Sequence, residues 1–180
     1  MVASEVKQCN LAGRGIVVED LENALRLWSS PTVLIAARNL LERLPSNAPS
    51  TILCLDLSRN RLPQLQGFEA LPHLRELDVS HNNLTSTCGL ATNTELSVLK
   101  MSHNRARCVE ALEQLKKLKE ADLSHNLFRF SMDVRSLSLN AALRSLRMDG
   151  NPLCSAGGTR DSYRLLLQHL LPAITQLDGQ

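Results

Sequence analysis

The stretch Ile52-Leu53-Cys54-Leu55-Asp56-Leu57-Ser58-Arg59-Asn60 decides how this chain folds. With Ile52 as position 1, Leu55, Leu57, Asn60 and Leu62 stand at positions 4, 6, 9 and 11 of the template L-x-x-L-x-L-x-x-N-x-L. The template fits again at Leu74–Leu84 with Leu77, Val79 and Asn82, and at Leu96–Ala106 with Leu99, Met101 and Asn104. It returns at Leu118–Phe128 with Ala121, Leu123 and Asn126, and at Leu143–Leu153 with Leu146, Met148 and Asn151. The asparagines at 60, 82, 104 and 126 are each 22 residues apart, and the next step is 25. Five fits in fixed phase mean one structural unit repeated.

A unit of this length cannot bury its own apolar face, so copies must stack and share a core. The pattern is that of the leucine-rich repeat. It predicts an α/β solenoid with a parallel sheet on the concave face and short helices or 3₁₀ turns on the convex face. Composition agrees. Leucine takes 36 of 180 positions while aromatics are 3%, which suits stacked aliphatic layers. A net charge of +2 is too small to argue for nucleic acid or an anionic membrane. No run of 18 apolar residues is present, and the start, M-V-A-S-E-V-K-Q-C, has no apolar signal core, so secretion is not expected. Five cysteines without C-x-x-C spacing fit reduced thiols in a cytoplasmic or nuclear protein. In that setting the sequon Asn83-Leu84-Thr85 has no consequence.

Residues 1–180 read as one domain with three parts. Residues 1–49 hold two degenerate repeats and a capping helix, 50–153 the five regular repeats, and 154–180 a C-terminal cap. In the first repeat Val6, Cys9, Leu11 and Ile16 fit, with Arg14 in the asparagine's place. Leu21, Ala24, Leu25 and Trp28 then follow at helical spacing, which predicts a convex helix over 18–28 with Trp28 in the core. Leu34, Ala36, Asn39 and Leu41 form the second repeat, with Pro31 at position 1. After Asn60, Leu62, Leu65, Phe68 and Leu71 recur every three residues, the spacing of a 3₁₀ return. The longer interval from Leu127 to Asn140, with Phe128, Phe130 and Met132, predicts a bulge. Thr159 or Asp161 caps a final helix to Leu171, whose face of Tyr163, Leu166, Leu167, Leu170 and Leu171 covers the last layer. Pro172 stops it, and Ile174 and Leu177 make a closing half-turn.

The 22-residue period, the S-x-N turns and the ending N-P-L…Y-R…L-P-x-x-x-x-L-D-G resemble the intracellular, protein phosphatase 1 regulator-like class with its C-terminal cap. The resemblance is firm over 50–180 and loose over 1–49. It implies a protein-binding role, with relatives in ciliary, centrosomal, spliceosomal and mRNA-export assemblies.

Side chains alternate along a strand, so positions 4 and 6 point inward and 3, 5, 7 and 8 outward. Position 5 runs Asn10, Ile35, Asp56, Asp78, Lys100, Asp122, Arg147, and position 3 runs Gln8, Val33, Cys54, Glu76, Val98, Glu120, Ser145. Neighbouring strands lie about 4.8 Å apart, so seven of them make a face roughly 30 Å wide. Val33 and Ile35 form an apolar patch beside an acidic middle of Asp56, Glu76, Asp78, Glu120 and Asp122, which Lys100 interrupts and Arg147 ends; Val98 adds an apolar site. This face is expected to hold a partner protein segment with an apolar anchor and basic residues.

No residue has a credible catalytic, cofactor-binding or metal-binding role. His81, His103 and His125 recur at position 8 and read as turn residues, as do Ser58, Ser80, Ser102 and Ser124. No catalytic spacing pairs a histidine with a nucleophile, and Gly157-Gly158 is too short to cradle phosphate. The basic residues Lys116, Lys117, Lys119 and Arg135 lack interleaved aromatics, so direct nucleic-acid binding is not expected, nor is a membrane or small-molecule partner. The reading is a non-enzymatic adaptor, cytoplasmic and associated with a cilium, centrosome or cytoskeleton. The alternatives are a phosphatase-type regulatory subunit or a subunit of a nuclear ribonucleoprotein or mRNA-export complex.

Overall fold

The computed structural model describes residues 7–28, 30–155 and 160–179, and leaves aside the side chains of 160 and 161. Val6, the Gly157-Gly158 pair and both candidate helix caps, Thr159 and the Asp161 side chain, lie outside that set. Short strands recur once per repeat: β1 (Gln8–Asn10), β2 (Val33–Ile35), β3 (Cys54–Asp56) and β4 (Glu76–Asp78). They continue with β5 (Val98–Lys100), β6 (Glu120–Asp122), β7 (Ser145–Arg147) and β8 (Gln176–Leu177). All pair in parallel and in sequence order, so the described chain winds one way. Register is strict: Leu34, Leu55, Leu77, Leu99, Ala121, Leu146 and Leu177 face one another from strand to strand. Each is at most 3% exposed. The sheet has eight strands rather than seven, because Gln176–Leu177 pairs with β7 just after the turn that the Ile174 N–H closes on Leu171 O.

The core runs without a break from Cys9 to Leu177. Each layer takes the leucines of positions 1, 4, 6 and 11, such as Ile52, Leu55, Leu57 and Leu62, and adds Leu65, Phe68 and Leu71 from the convex return. Burying such a side chain contributes about 1.5–3 kcal/mol. The return is built from 3₁₀ segments at Phe68–Ala70, Glu110–Gln114 and Ser131–Leu139. The interval after Leu127 therefore does not bulge free: Phe128, Val134 and Leu137 are buried, while Phe130 and Met132 are exposed.

Turning each strand into its return leaves backbone groups that no neighbouring strand can satisfy, and buried groups of this kind must be bonded. The position-9 asparagines do this. The Asn82 Nδ2 donates to the carbonyls of Leu57 at 3.0 Å and Val79 at 3.1 Å, and its Oδ1 accepts from Leu62 N–H at 2.9 Å. Asn39, Asn60, Asn104, Asn126 and Asn151 repeat the pattern. A second, smaller set works under the convex side. There Asn93 donates to the carbonyls of Phe68 and Leu71, and Asn140 to those of Leu112 and Leu115.

Both ends are covered. Helix α1 (Val18–Leu25) starts where the Asp20 carboxylate accepts from Val17 N–H at 3.0 Å, and it buries Val18, Leu21 and Leu25. It stops three residues short of Trp28, which is consequently 41% exposed and outside the core. Helix α2 (Arg160–Leu170) buries Tyr163 and Leu167, with Leu171 just beyond it. Asp178 holds this end, accepting from Met148 N–H at 2.8 Å, from Asp149 N–H at 3.1 Å and from the Tyr163 hydroxyl. Burial and that carboxylate push the Tyr163 hydroxyl well above the usual phenol range, so it remains a donor.

Candidate protein-binding face

In each three-residue strand the middle residue is buried and its neighbours face the concave surface. Register then places Val33 beside Cys54, Cys54 beside Glu76, and Glu76 beside Val98. The next row runs Ile35, Asp56, Asp78, Lys100. A depression of about 180 Å³ opens over β2 to β5, lined by Val33, Ile35, Asp56, Glu76, Asp78, Val98 and Lys100, with Cys54 also in its wall. Glu120, Asp122 and Arg147 share the same surface on β6 and β7 but lie outside this depression. There Arg147 faces Asp122 at 3.9 Å, so that pair is partly satisfied within the chain.

The aspartates do more than present charge. Asp56 Oδ1 accepts from Ser58 N–H at 2.9 Å and from its hydroxyl at 2.7 Å. Asp122 Oδ1 does the same for Ser124, and Asp78 Oδ1 accepts from Ser80 N–H. These are Asx turns, and they end the strands. At two repeats position 7 is drawn away from the surface, with Ser80 and Ser124 buried, while Ser58, Ser102 and Asp149 remain partly exposed. The D-x-S spacing carried that signal. Cys54 belongs with the lining residues. Burial raises its thiol pKa, and Glu76 raises it further, so it is an uncharged thiol near neutrality rather than a nucleophile.

Position 8 adopts the left-handed region at Arg38, Arg59, His81, His103 and His125, with φ between 52° and 57°. This conformation aligns the imidazoles. His81 and His103 stack with ring centroids 4.2 Å apart and 7° between planes, and His103 and His125 stack at 4.2 Å and 9°. Gly150 occupies the same column, where a Cβ would fall 2.3 Å from His125 Nδ1. Burial, then Arg59 and His103, lowers the His81 pKa, so it stays neutral at pH 7. Among the described residues no cluster of three or more His, Cys, Asp or Glu could hold a metal ion. No helix among them is long and apolar enough to cross a membrane.

The parallel sheet, asparagine ladder and repeat period define a leucine-rich repeat solenoid. Comparison with known proteins gives the same class: the model described as Leucine Rich Repeat matches residues 73–92, the fourth repeat. Keratocan of Danio rerio is 36% identical over 85 residues, a match spanning 46% of this chain and 24% of keratocan. Among solved structures, the internalin inlF of Listeria monocytogenes superposes with a TM-score of 0.66 at 18% identity, covering 84% of this chain and 42% of that one. Internalin C2 of the same species superposes with a TM-score of 0.65 at 20% identity, covering 85% and 78%. The chain thus spans about a quarter of its curated relative, and the structural likeness establishes the fold.

Proposed function

We propose that this chain is a non-catalytic adaptor that holds a segment of a partner protein on its concave sheet, in a cytoplasmic assembly of the ciliary, centrosomal or cytoskeletal kind. The observation that carries the reading is the depression over β2 to β5, where Val33, Ile35, Cys54 and Val98 meet Asp56, Glu76 and Asp78. An apolar side chain of the segment seats on the first set, and lysines or arginines beside it meet the second. Binding energy in such contacts concentrates in a few buried anchors, while charge sets register and association rate. The fold serves this role because the sheet is ordered before the partner arrives, which keeps the entropic cost of association low. The cellular setting rests on the resemblance of the repeats and closing motif to the protein phosphatase 1 regulator-like class.

Affinity purification from the native cell tests this, comparing the natural chain with Val33→Asp/Ile35→Asp. The double substitution buries two charges against the anchor and is expected to reduce recovery of the partner at least tenfold. Equal recovery with both proteins would remove the concave face from the account. Glu76→Gln/Asp78→Asn supplies the electrostatic arm, because the amide oxygen of an asparagine still accepts the Ser80 bond while the charge is gone. Partner association is then expected to slow and to lose most of its dependence on salt.

A further inference from the structure

We infer that one flank of the solenoid, the loop edge that leaves the strands at positions 8, 10 and 12, is a second interaction surface, and that it takes an acidic peptide segment. Positions 9 and 11 point inward there: Asn39, Asn60, Asn82, Asn104 and Asn126 are buried, as are Leu41, Leu62, Leu84 and Ala106. The positions that alternate with them face outward. Six of the chain's fifteen arginines stand on them: Arg38, Arg59, Arg61, Arg105, Arg107 and Arg129. All are exposed. Among the described residues none has a carboxylate within ion-pair distance; the ion pairs engage Arg43, Lys117, His125 and Arg147 instead.

The columns are held in line by the backbone. The N–H of Arg38 bonds Ser58 O, that of Arg59 bonds Ser80 O, and those of His81 and His103 bond Ser102 and Ser124 O, each 2.8–3.0 Å long. Positions 8 to 12 of the second to sixth repeats contain one carboxylate, Glu42. The flank is therefore five charges positive in a chain whose total is +2, so the remainder is net negative. Arginine keeps its charge at any working pH and binds carboxylates through paired donors.

One feature favours an acidic peptide over a nucleic acid. The imidazole faces are consumed by one another, by Arg59, whose guanidinium lies 3.5 Å from His81 Nε2, and by the close approach to Gly150, so no ring is free to stack on a base.

Fluorescence anisotropy with a labelled oligoglutamate peptide tests the proposal on the full chain. Binding is expected to weaken as salt is raised. Arg61→Glu/Arg105→Glu/Arg107→Glu, whose side chains make no hydrogen bond or ion pair among the described residues, is expected to weaken it at least tenfold. Lys116→Glu/Lys119→Glu/Arg135→Glu, the same charge change elsewhere, is expected to change it less than twofold. Absence of binding, equal loss in both triple charge reversals, or tighter binding of an oligouridylate than of oligoglutamate would overturn it.

Discussion

Asn82→Ala is expected to lower the unfolding free energy by about 3 kcal/mol, and the melting temperature by about 10 °C. The side chain is 7% exposed and bonds the carbonyls of Leu57 and Val79 and the N–H of Leu62, three groups from two successive turns of the solenoid. Alanine leaves the Leu62 N–H buried and unpaired, which costs about 1–3 kcal/mol, and removes one of two bonds at each carbonyl, which keep those from Asn60 and Asn104, at about 0.5–1.5 kcal/mol each. Small relaxations recover part of that sum. Asn83→Ala is the internal control: Asn83 is exposed, so its loss is expected to change stability by less than about 0.5 kcal/mol. Urea unfolding of the two variants makes the comparison. Equal midpoints would mean that the asparagine column is not what closes the turns.

Gly89→Ala is expected to cost more, about 4 kcal/mol, and to leave little folded protein at 37 °C. Gly89 has φ +105°, and a Cβ there would lie 2.1 Å from the carbonyl oxygen of Leu65 in the preceding repeat. The obstacle is backbone of the buried convex layer, which cannot swing aside as the end of a side chain can. Overpacking costs about 1–3 kcal/mol and the left-handed conformation about 1–2 kcal/mol more. Gly13→Ala separates the two terms. Gly13 also has a positive φ, +68°, but no atom lies within 4 Å of its Cβ position, so only the conformational part, about 1–2 kcal/mol, is expected. Circular dichroism melts of the two variants decide it, and similar losses would contradict the close approach of successive returns at Leu65.

Much of this architecture is legible in the residues themselves, for a geometric reason. A period of two within the strands and of about 22 between them leaves one way to hide Leu55, Leu77 and Leu99 together, and that way puts Asp56 beside Asp78. Three features could not be read in this way. The eighth strand has only Ile174 and Leu177 of the template, and Asp178 is held there by Tyr163 from fifteen residues earlier, a contact no local pattern encodes. Trp28 sits at helical spacing from Leu21 and Leu25, yet α1 ends at Leu25, and the chain turns before the indole reaches the core. The histidine stack depends on the left-handed backbone at position 8, which S-H-N leaves open because histidine tolerates either region. The concave aspartates fall between these cases: their direction follows from alternation, but their bonds to Ser58 and Ser124 show only in three dimensions.

Those bonds bear on how the face works. One oxygen of Asp56 is committed to the turn, so the carboxylate is fixed in place and its other oxygen is offered to a partner at no cost in side-chain entropy. Val33 and Ile35 are likewise held by strands paired on both sides. A partner meets a surface already in its bound shape, the condition under which a modest depression still selects one anchor.

Carboxylate footprinting of the complex tests the central claim most directly. The chain, alone and with the partner recovered by affinity purification, is labelled with a water-soluble carbodiimide and an amine, and modification is read residue by residue. Labelling of Asp56, Glu76 and Asp78 is expected to fall in the complex, while Glu69 and Glu110, on the convex 3₁₀ segments, label as before. Protection of Glu69 and Glu110 with the three concave carboxylates unchanged would place the partner on the opposite side of the solenoid and contradict the account.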